Sequence, residues 1–191
     1  MDNKETKIVI AGFGGQGVVS AGNIIARACM AEDRRVTGMI SYGAEMRGGT
    51  ANTTIVISDE QIASPVVEKP DIAIILNQPS LDKFEEKIAK KGLVVINTSL
   101  VTRQVKRPDL KVVGTNATEI AHQLGNVKCA NMVILGTFIA ATGLLKTKSI
   151  TKAIEGLFSR KGAAIVELNI KALQAGIKEN QSHPCLTNQT G

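Results

Sequence analysis

The glycines that follow the first apolar run have the types and spacing of a phosphate-binding turn. Residues 12–17 read GFGGQG, and the four residues before them read IVIA. Gly12 permits a tight turn, and Gly14 with Gly15 lets the backbone approach an anion. Gly17 allows the following helix to pack closely on the strand, and the positive end of that helix would face the ligand. The pattern predicts a turn that binds a phosphate group, with a purely structural turn as the alternative.

A dinucleotide site would need a further residue that this sequence lacks. Nicotinamide and flavin sites place an acidic residue near the end of the second strand, about 20 residues after the turn. Here that strand ends with TGMIS at Ser41, and the nearest carboxylate, Glu45, comes in the loop beyond. The sequence therefore disfavours a stand-alone nicotinamide or flavin enzyme and leaves the binding of another phosphate ligand open.

A second loop, SYGAEMRGGTAN, carries polar groups that could face the same ligand. Arg47 is followed by two glycines, so its guanidinium could reach a phosphate or carboxylate while the backbone stays out of the way. Glu45 could orient that arginine or bind a cation of a partner chain, and Tyr42 could stack on a ring. The second strand should end at the same carboxyl edge of the sheet as the first, so the two loops should meet at one crevice. The alternative is a crossover loop in which Glu45 and Arg47 pair in solvent.

Composition argues against several other functions. The net charge of +6 is mild, aromatic residues make up 3% of the chain, and no nucleic-acid motif occurs, so nucleic-acid binding is not expected. The three cysteines are far apart and form no CxxC pair, which excludes a disulfide framework and a zinc or iron–sulfur site held by this chain alone. No apolar run approaches the roughly 20 residues of a membrane-spanning helix, and the N-terminus lacks a signal-peptide pattern. A soluble cytoplasmic protein is expected.

The chain also lacks a recognisable set of catalytic residues. No HExxH motif occurs; His122 falls on the predicted surface of a helix, and His183 falls in the polar C-terminal stretch. With loops suited to an anion and no acid–base pair, the sequence indicates a binding subunit rather than a self-sufficient enzyme.

The segments around these loops alternate between strand and helix patterns. Runs rich in Val and Ile predict strands over 6–11, 35–41, 51–58, 71–77, 93–98 and 110–115. Helix patterns cover 18–31, 79–91 and 116–124, followed by 131–145, 149–159 and 161–178. The run 51–58 alternates in polarity and predicts an edge or antiparallel strand. The predicted fold is α/β, a three-layer sandwich with a mostly parallel Rossmann-like sheet and a helical C-terminal third. One domain should cover 1–180, with a flexible polar tail over 181–191.

Two segments in this order resemble the gamma subunit of 2-oxoacid:ferredoxin oxidoreductases. They are GFGGQGVVSAGNIIA and SYGAEMRGGTAN. The stretch TTIVISDEQIASPVVEKPDIAIILNQPSLDKF is similar to the same family, and most of all to its 2-oxoglutarate-type branch. The resemblance runs over about residues 7–178. Ala44, where relatives commonly have proline, is a small departure.

The resemblance implies a division of labour among subunits. Enzymes of this family decarboxylate a 2-oxoacid on thiamine diphosphate, pass electrons through [4Fe–4S] clusters to ferredoxin, and transfer the acyl group to coenzyme A (CoA). Thiamine diphosphate, Mg and the clusters would lie on alpha, beta and delta-type partner subunits. This chain would help to bind CoA and to assemble the complex, and would be inactive when isolated. A stand-alone nucleotide-binding protein and a ligand-free scaffold subunit are the alternatives.

The resemblance also implies which residues form the site. The turn would line the CoA pyrophosphate with Gly12, Gly14, Gly15, Gln16 and Gly17. A second wall or a subunit contact would be formed by Ser41, Tyr42, Glu45, Arg47, Gly48 and Gly49. Without its partners, the chain should bury exposed apolar surface by forming a homo-oligomer.

Overall fold

A computed structural model describes residues 5–42 and 50–182 of the 191-residue chain. Its strands are β1 Thr6–Phe13, β2 Arg35–Tyr42, β3 Thr50–Ser58, β4 Ile72–Ile75, β5 Leu93–Asn97 and β6 Lys111–Thr115. Its helices are α1 Val18–Ala31, α2 Gln78–Phe84, α3 Ala117–Gln123, α4 Ala130–Thr142, α5 Thr147–Phe158 and α6 Ala163–Ser182. No helix in the described ranges is both long enough and apolar enough to cross a membrane.

The strands form one mixed sheet in the order β2-β3-β1-β4-β5-β6. β1, β4, β5 and β6 are parallel neighbours, whereas β3 is antiparallel to both β1 and β2. β2 therefore points in the same direction as β1, and the predicted mostly parallel α/β sheet is confirmed. The alternation in β3 correctly indicated an antiparallel strand, but the edge position is wrong because β2 pairs along its outer side.

Apolar side chains on both faces of the sheet build three layers. The helices of the C-terminal third lie with α1 and α3 on one face, above Ile8, Ile10, Ile55, Ile57 and Ile74. The other face is covered by α2 and the segment 98–110, above Val9, Ala11, Ala73, Ile75 and Val94. Successive side chains of a strand point to opposite faces of the sheet, so one apolar strand contributes to both core layers.

The helix predicted over 79–91 is shorter than expected. Asn77 begins it by accepting a hydrogen bond from the Ser80 N–H at 3.0 Å, and α2 then gives way to a 3₁₀ turn, Glu85–Lys87. Ile88 is extended, with φ −66° and ψ 138°, so the helix cannot continue to Gly92 as predicted. Gly92 is required for packing instead, because a Cβ there would lie 2.8 Å from the Asp71 carbonyl oxygen.

An arginine–aspartate pair fixes the chain just before β6. Arg107 donates to Asp109 through Nε at 3.0 Å and through Nη2 at 2.7 Å, and the Lys91 N–H donates to the same carboxylate at 3.1 Å. The Arg107 hydrogen bonds, followed by the Lys91 N–H, lower the pKa of Asp109 from 3.8 to about 2. The carboxylate is therefore stabilised in its charged form by the fold.

Acid should remove this contribution to stability. Because the folded-state pKa of Asp109 is depressed, its contribution is present above pH 3.8 and is lost as the pH falls through about 2. Urea unfolding of Asp109→Asn should show a lower midpoint than the wild type at pH 5, and the two midpoints should converge below pH 2. A difference that stays constant across that range would contradict the assignment.

Candidate functional site

The glycine turn lies at the carboxyl end of β1, directly before α1. Gly15 and Gly17 have positive φ angles of 92° and 74°, which side chains rarely adopt, and Gly17 is the N-cap of α1. A Cβ on Gly17 would overlap the Asn131 amide nitrogen, which donates to the Gly17 carbonyl at 3.1 Å. The tightest contact of Gly17 is thus with α4, and not with the strand as the sequence suggested.

Gln16 folds its side chain back into the centre of the turn. Its Oε1 accepts hydrogen bonds from the Phe13 N–H at 2.6 Å and from Asn77 Nδ2 at 2.9 Å. The same oxygen lies 2.8 Å from the position of a Cβ on Gly12, so only glycine at position 12 leaves room for it. The backbone N–H of Gln16 donates to the Phe13 carbonyl at 3.1 Å, which closes the turn on itself.

The outer side of the turn remains open. Gly14 and Gly15 are exposed, and no described residue accepts a hydrogen bond from either N–H group. A Cβ on Gly15 would meet nothing within 4 Å. The positive end of α1 lies beside these N–H groups. The turn therefore fits a phosphate on its outer side and does not fit one at its centre, where the Gln16 oxygen lies.

Two buried asparagines close the neighbouring strand ends. Asn77 follows β4 and is 2% exposed, and Asn97 ends β5 and is fully buried. Asn97 Nδ2 donates to the Leu76 carbonyl and to Thr118 Oγ1, at 3.3 and 2.9 Å, and its Oδ1 accepts from the Thr118 N–H at 3.3 Å. The two amides therefore fill the space at the carboxyl ends of β4 and β5. The open part of this sheet edge lies on the other side of β1, toward β2. Neither asparagine stood out in the sequence, although IILN and VVIN both place an asparagine directly after an apolar run.

Ser41 and Tyr42 lie at the same edge as the turn. In the sheet register Tyr42 pairs with Ala51 and Ala51 pairs with Gly12, so the end of β2 is level with the turn across one intervening strand. That separation is about 10 Å. Tyr42 is 72% exposed. The structure thus brings the two predicted strand ends to one edge.

The remaining predicted site residues lie outside the described residues. These are Glu45, Arg47, Gly48 and Gly49. The flanking residues Tyr42 and Thr50 both lie at the carboxyl edge, since Thr50 pairs with Phe13. The roles of the four residues stay predictions.

Exposed apolar side chains surround this edge. They are Phe13, Met39, Ile40, Tyr42 and Val66. β2 has no strand on its outer side among the described residues. A groove of about 450 Å³ runs along the face of β2 and β3 between Met39 and Asn52 on the sheet and Val66, Pro70 and Phe84 above it. Larger hollows of about 650 and 590 Å³ lie between α5 and α6 and beside Asn180, away from the turn.

The cysteines in the described part of the chain are buried. Burial raises the pKa of the Cys29 thiol to about 12, and burial likewise raises the pKa of Cys129. Neither is a thiolate near neutral pH. In residues 5–42 and 50–182, no group of three His, Cys, Asp or Glu side chains is placed to hold a metal ion.

The sequence matches one protein family over most of its length. The family model for pyruvate ferredoxin/flavodoxin oxidoreductase matches residues 7–179. The chain is 40% identical over 175 residues to the ketoisovalerate oxidoreductase subunit VorA of Methanothermobacter marburgensis, covering 91% of this chain and 36% of VorA. It is 36% identical to the 2-oxoglutarate synthase subunit KorC of Methanocaldococcus jannaschii, covering 78% and 81%. The chain thus spans about a third of VorA but most of KorC, and the 2-oxoglutarate branch is one of several related groups.

Solved structures share the fold. The keto/oxoacid ferredoxin oxidoreductase gamma subunit of Geobacter sulfurreducens has a TM-score of 0.82 at 30% identity, covering 94% of this chain and 98% of that one. A 2-oxoglutarate:ferredoxin oxidoreductase from Magnetococcus marinus, with 2-oxoglutarate, CoA and succinyl-CoA bound, has a TM-score of 0.86 at 21% identity. This match covers 95% of the chain and 32% of the larger protein and is a likeness of fold alone.

Proposed function

This chain belongs to the pyruvate ferredoxin/flavodoxin oxidoreductase family, and we propose that it is the gamma subunit of a 2-oxoacid:ferredoxin oxidoreductase complex. Its similarity in sequence and fold to gamma-type subunits supports the proposal. The complex would decarboxylate a 2-oxoacid oxidatively to an acyl-CoA and pass the electrons to ferredoxin. Thiamine diphosphate, Mg and the [4Fe–4S] clusters would be held by partner subunits. This chain would supply no catalytic residue, and would help to bind CoA and to assemble the complex.

One observation carries the CoA part of the proposal. The N–H groups of Gly14 and Gly15 have no acceptor among the described residues, and they lie at the positive end of α1. CoA is rich in phosphate, and Ser41 and Tyr42 lie at the same edge. Arg47, in the loop that starts there, would add a guanidinium suited to phosphate.

The substrate of the complex is proposed only at the level of its class. The related subunits carry names for ketoisovalerate and for 2-oxoglutarate, and the percentages of identity are similar. We retain 2-oxoglutarate as the working hypothesis. The choice among 2-oxoacids would be made by the partner subunits, because they would hold the thiamine diphosphate on which the 2-oxoacid reacts.

Assembly would use the exposed edge beside the turn. β2 is an edge strand, and Met39 and Ile40 on it are 46% and 47% exposed. Edge strands with apolar side chains tend to pair with another chain. Partner subunits would cover this surface in the complex, and a second copy of the chain would cover it when the partners are absent.

A ligand-free scaffold is the second candidate, and the Gln16 side chain favours it. A turn whose centre is filled by its own amide is stable without a ligand. The filled centre and the lack of an acidic residue at the end of β2 both argue against a stand-alone dinucleotide enzyme.

The Gly15→Val variant separates the CoA-binding subunit from the scaffold. A branched side chain on the outer side of the turn would cover the N–H groups, so the complex should bind CoA at least about tenfold more weakly, which is about 1.4 kcal/mol. Calorimetry with CoA on the complex, purified from its native host through this chain, measures that affinity. The same purification identifies the subunits that accompany the chain.

Gly143→Val is the matched control. Gly143 also has a positive φ, of 59°, and a Cβ there would meet nothing within 4 Å, so valine brings a comparable backbone strain. Gly143 lies near the C-terminal end of α1, whereas the turn lies at its N-terminal end. Arg34, three residues after α1, donates to the carbonyl of Leu144, the residue that follows Gly143. CoA affinity should be unchanged in this variant. Unchanged affinity in Gly15→Val as well would support the scaffold.

A further inference from the structure

We propose that Gln16 is a positioning residue that fills the centre of the glycine turn with an uncharged oxygen and confines an anionic ligand to the N–H groups of Gly14 and Gly15. The inference rests on the proposed function, since it specifies how the turn would receive CoA. It assigns to Gln16 a role different from that of a residue lining the pyrophosphate.

The contacts of Gln16 define what its position requires. Both partners of Oε1, the Phe13 N–H and Asn77 Nδ2, are hydrogen-bond donors. The position therefore takes an acceptor oxygen, which is the kind of atom that a phosphate would present. Nε2 makes no hydrogen bond with any described residue. The fold therefore uses only the oxygen of this side chain.

A second contact connects this oxygen to the next helix. Asn77 donates to Gln16 with its Nδ2, and with its Oδ1 it accepts the Ser80 N–H that caps α2. Asn77 is 2% exposed, so its orientation is fixed by these two bonds. The Gln16 oxygen is thus held from two sides and does not leave the centre of the turn without breaking both.

Filling the centre restricts the ligand. A dinucleotide places its pyrophosphate across such a turn, where the first glycine makes the tight bend and the second lets the backbone approach the phosphates. Here the Gln16 oxygen lies beside Gly12, 2.8 Å from the position of a Cβ. A single phosphate group can therefore contact the outer N–H pair, whereas a pyrophosphate seated at the centre cannot.

Glutamate at position 16 would keep the contacts and change the charge. A carboxylate oxygen accepts from the same two donors, and a negative charge near the start of α1 is favourable for the helix. With their separation taken as on the order of 6 Å, an anion on the outer side would then be repelled by a like charge. At the effective dielectric near a protein surface, that repulsion weakens binding on the order of 100-fold.

The test is Gln16→Glu in the purified complex. We expect the thermal midpoint and the KM for the 2-oxoacid to stay at wild-type values, while the Kd for CoA from calorimetry and the KM for CoA rise by about 100-fold. Salt screens charge repulsion, so the rise should shrink between about 0.05 and 0.5 M NaCl. Gln174→Glu adds the same charge at an exposed position of α6 and should leave the affinity for CoA unchanged.

The outcomes separate this inference from the function on which it rests. Wild-type CoA affinity in Gln16→Glu, together with weakened affinity in Gly15→Val, would overturn the role of Gln16 and leave the CoA-binding function standing. Wild-type affinity in both variants would overturn the function itself. A drop in thermal midpoint accompanied by a loss of affinity that salt does not change would assign Gln16 a structural role, which also overturns the proposal.

Discussion

Gly176→Ala is expected to lower the free energy of unfolding by about 3 kcal/mol, the upper end of the cost of overpacking a core. A Cβ on Gly176 would overlap the Val133 carbonyl group, and a Cβ on Gly136 would overlap the Leu173 carbonyl oxygen. α4 and α6 therefore cross backbone to backbone at two glycines. Thr137 Oγ1 donates to the Gly176 carbonyl at 3.3 Å across the same crossing. A methyl group at either glycine must push apart two helices that form much of one core layer.

Urea unfolding followed by circular dichroism measures this loss, with Gly156→Ala as the control. Gly156 lies in α5, and the nearest atom to a Cβ there is Arg27 Nη1 at 4.0 Å. Alanine at this position should change the stability little, or raise it by up to about 1 kcal/mol through helix propensity. Equal midpoints for the Gly176 and Gly156 variants would show that the crossing adjusts easily, which would contradict the prediction.

Glu85→Ala is expected to cost about 1–3 kcal/mol, because it removes a buried carboxylate that satisfies two backbone N–H groups and pairs with the partly exposed Arg103. The Glu85 side chain is 3% exposed, and its Oε2 lies 2.7 Å from Arg103 Nη1. Its Oε1 accepts from the backbone N–H groups of Lys106 and Arg107. Removal of the carboxylate leaves the two backbone donors without their acceptor, in the segment that covers one face of the sheet, whereas Arg103 keeps its ion pair with Asp82 at 2.7 Å.

Glu86→Ala is the matched control for that variant. Glu86 is the next residue in the same 3₁₀ turn, and it is exposed. The same change of residue and charge should alter the free energy of unfolding by less than about 0.5 kcal/mol. Hydrogen exchange of the amides in 98–110 should accelerate only in Glu85→Ala. An equal loss of stability in the two variants would mean that the carboxylate at 85 does not hold this segment.

The sequence patterns predicted the sheet well and the side-chain contacts poorly. Val- and Ile-rich runs located the strands, and the polar alternation in 51–58 correctly indicated an antiparallel strand, although β3 is buried on both faces. The alternation alone does not say which strand lies outside. The order of β2 and β3 depends on pairing between whole strands.

The helix over 79–91 shows a second limit. Its apolar spacing suited a helix, but Glu85 bonds to residues 21 and 22 positions away, and the chain tightens there into a 3₁₀ turn. The Gln16–Asn77 bond likewise joins residues 61 positions apart. Such partners are selected by tertiary packing, and no local period encodes them. The glycine spacing therefore located the turn without indicating that its centre is filled.

Because β3 runs antiparallel to β2, the chain leaves β2 at Tyr42 and enters β3 at Thr50 at the same edge, the one that carries the turn. Tyr42 pairs with Ala51, so the two ends of the intervening segment are clamped in register by the sheet itself. Lengthening a segment whose two ends are fixed in this way costs little closure entropy, about 0.6 kcal/mol for each doubling of its length. The segment between Tyr42 and Thr50 can therefore change in length and sequence without disturbing the register of β2 and β3, which the sheet sets independently of it.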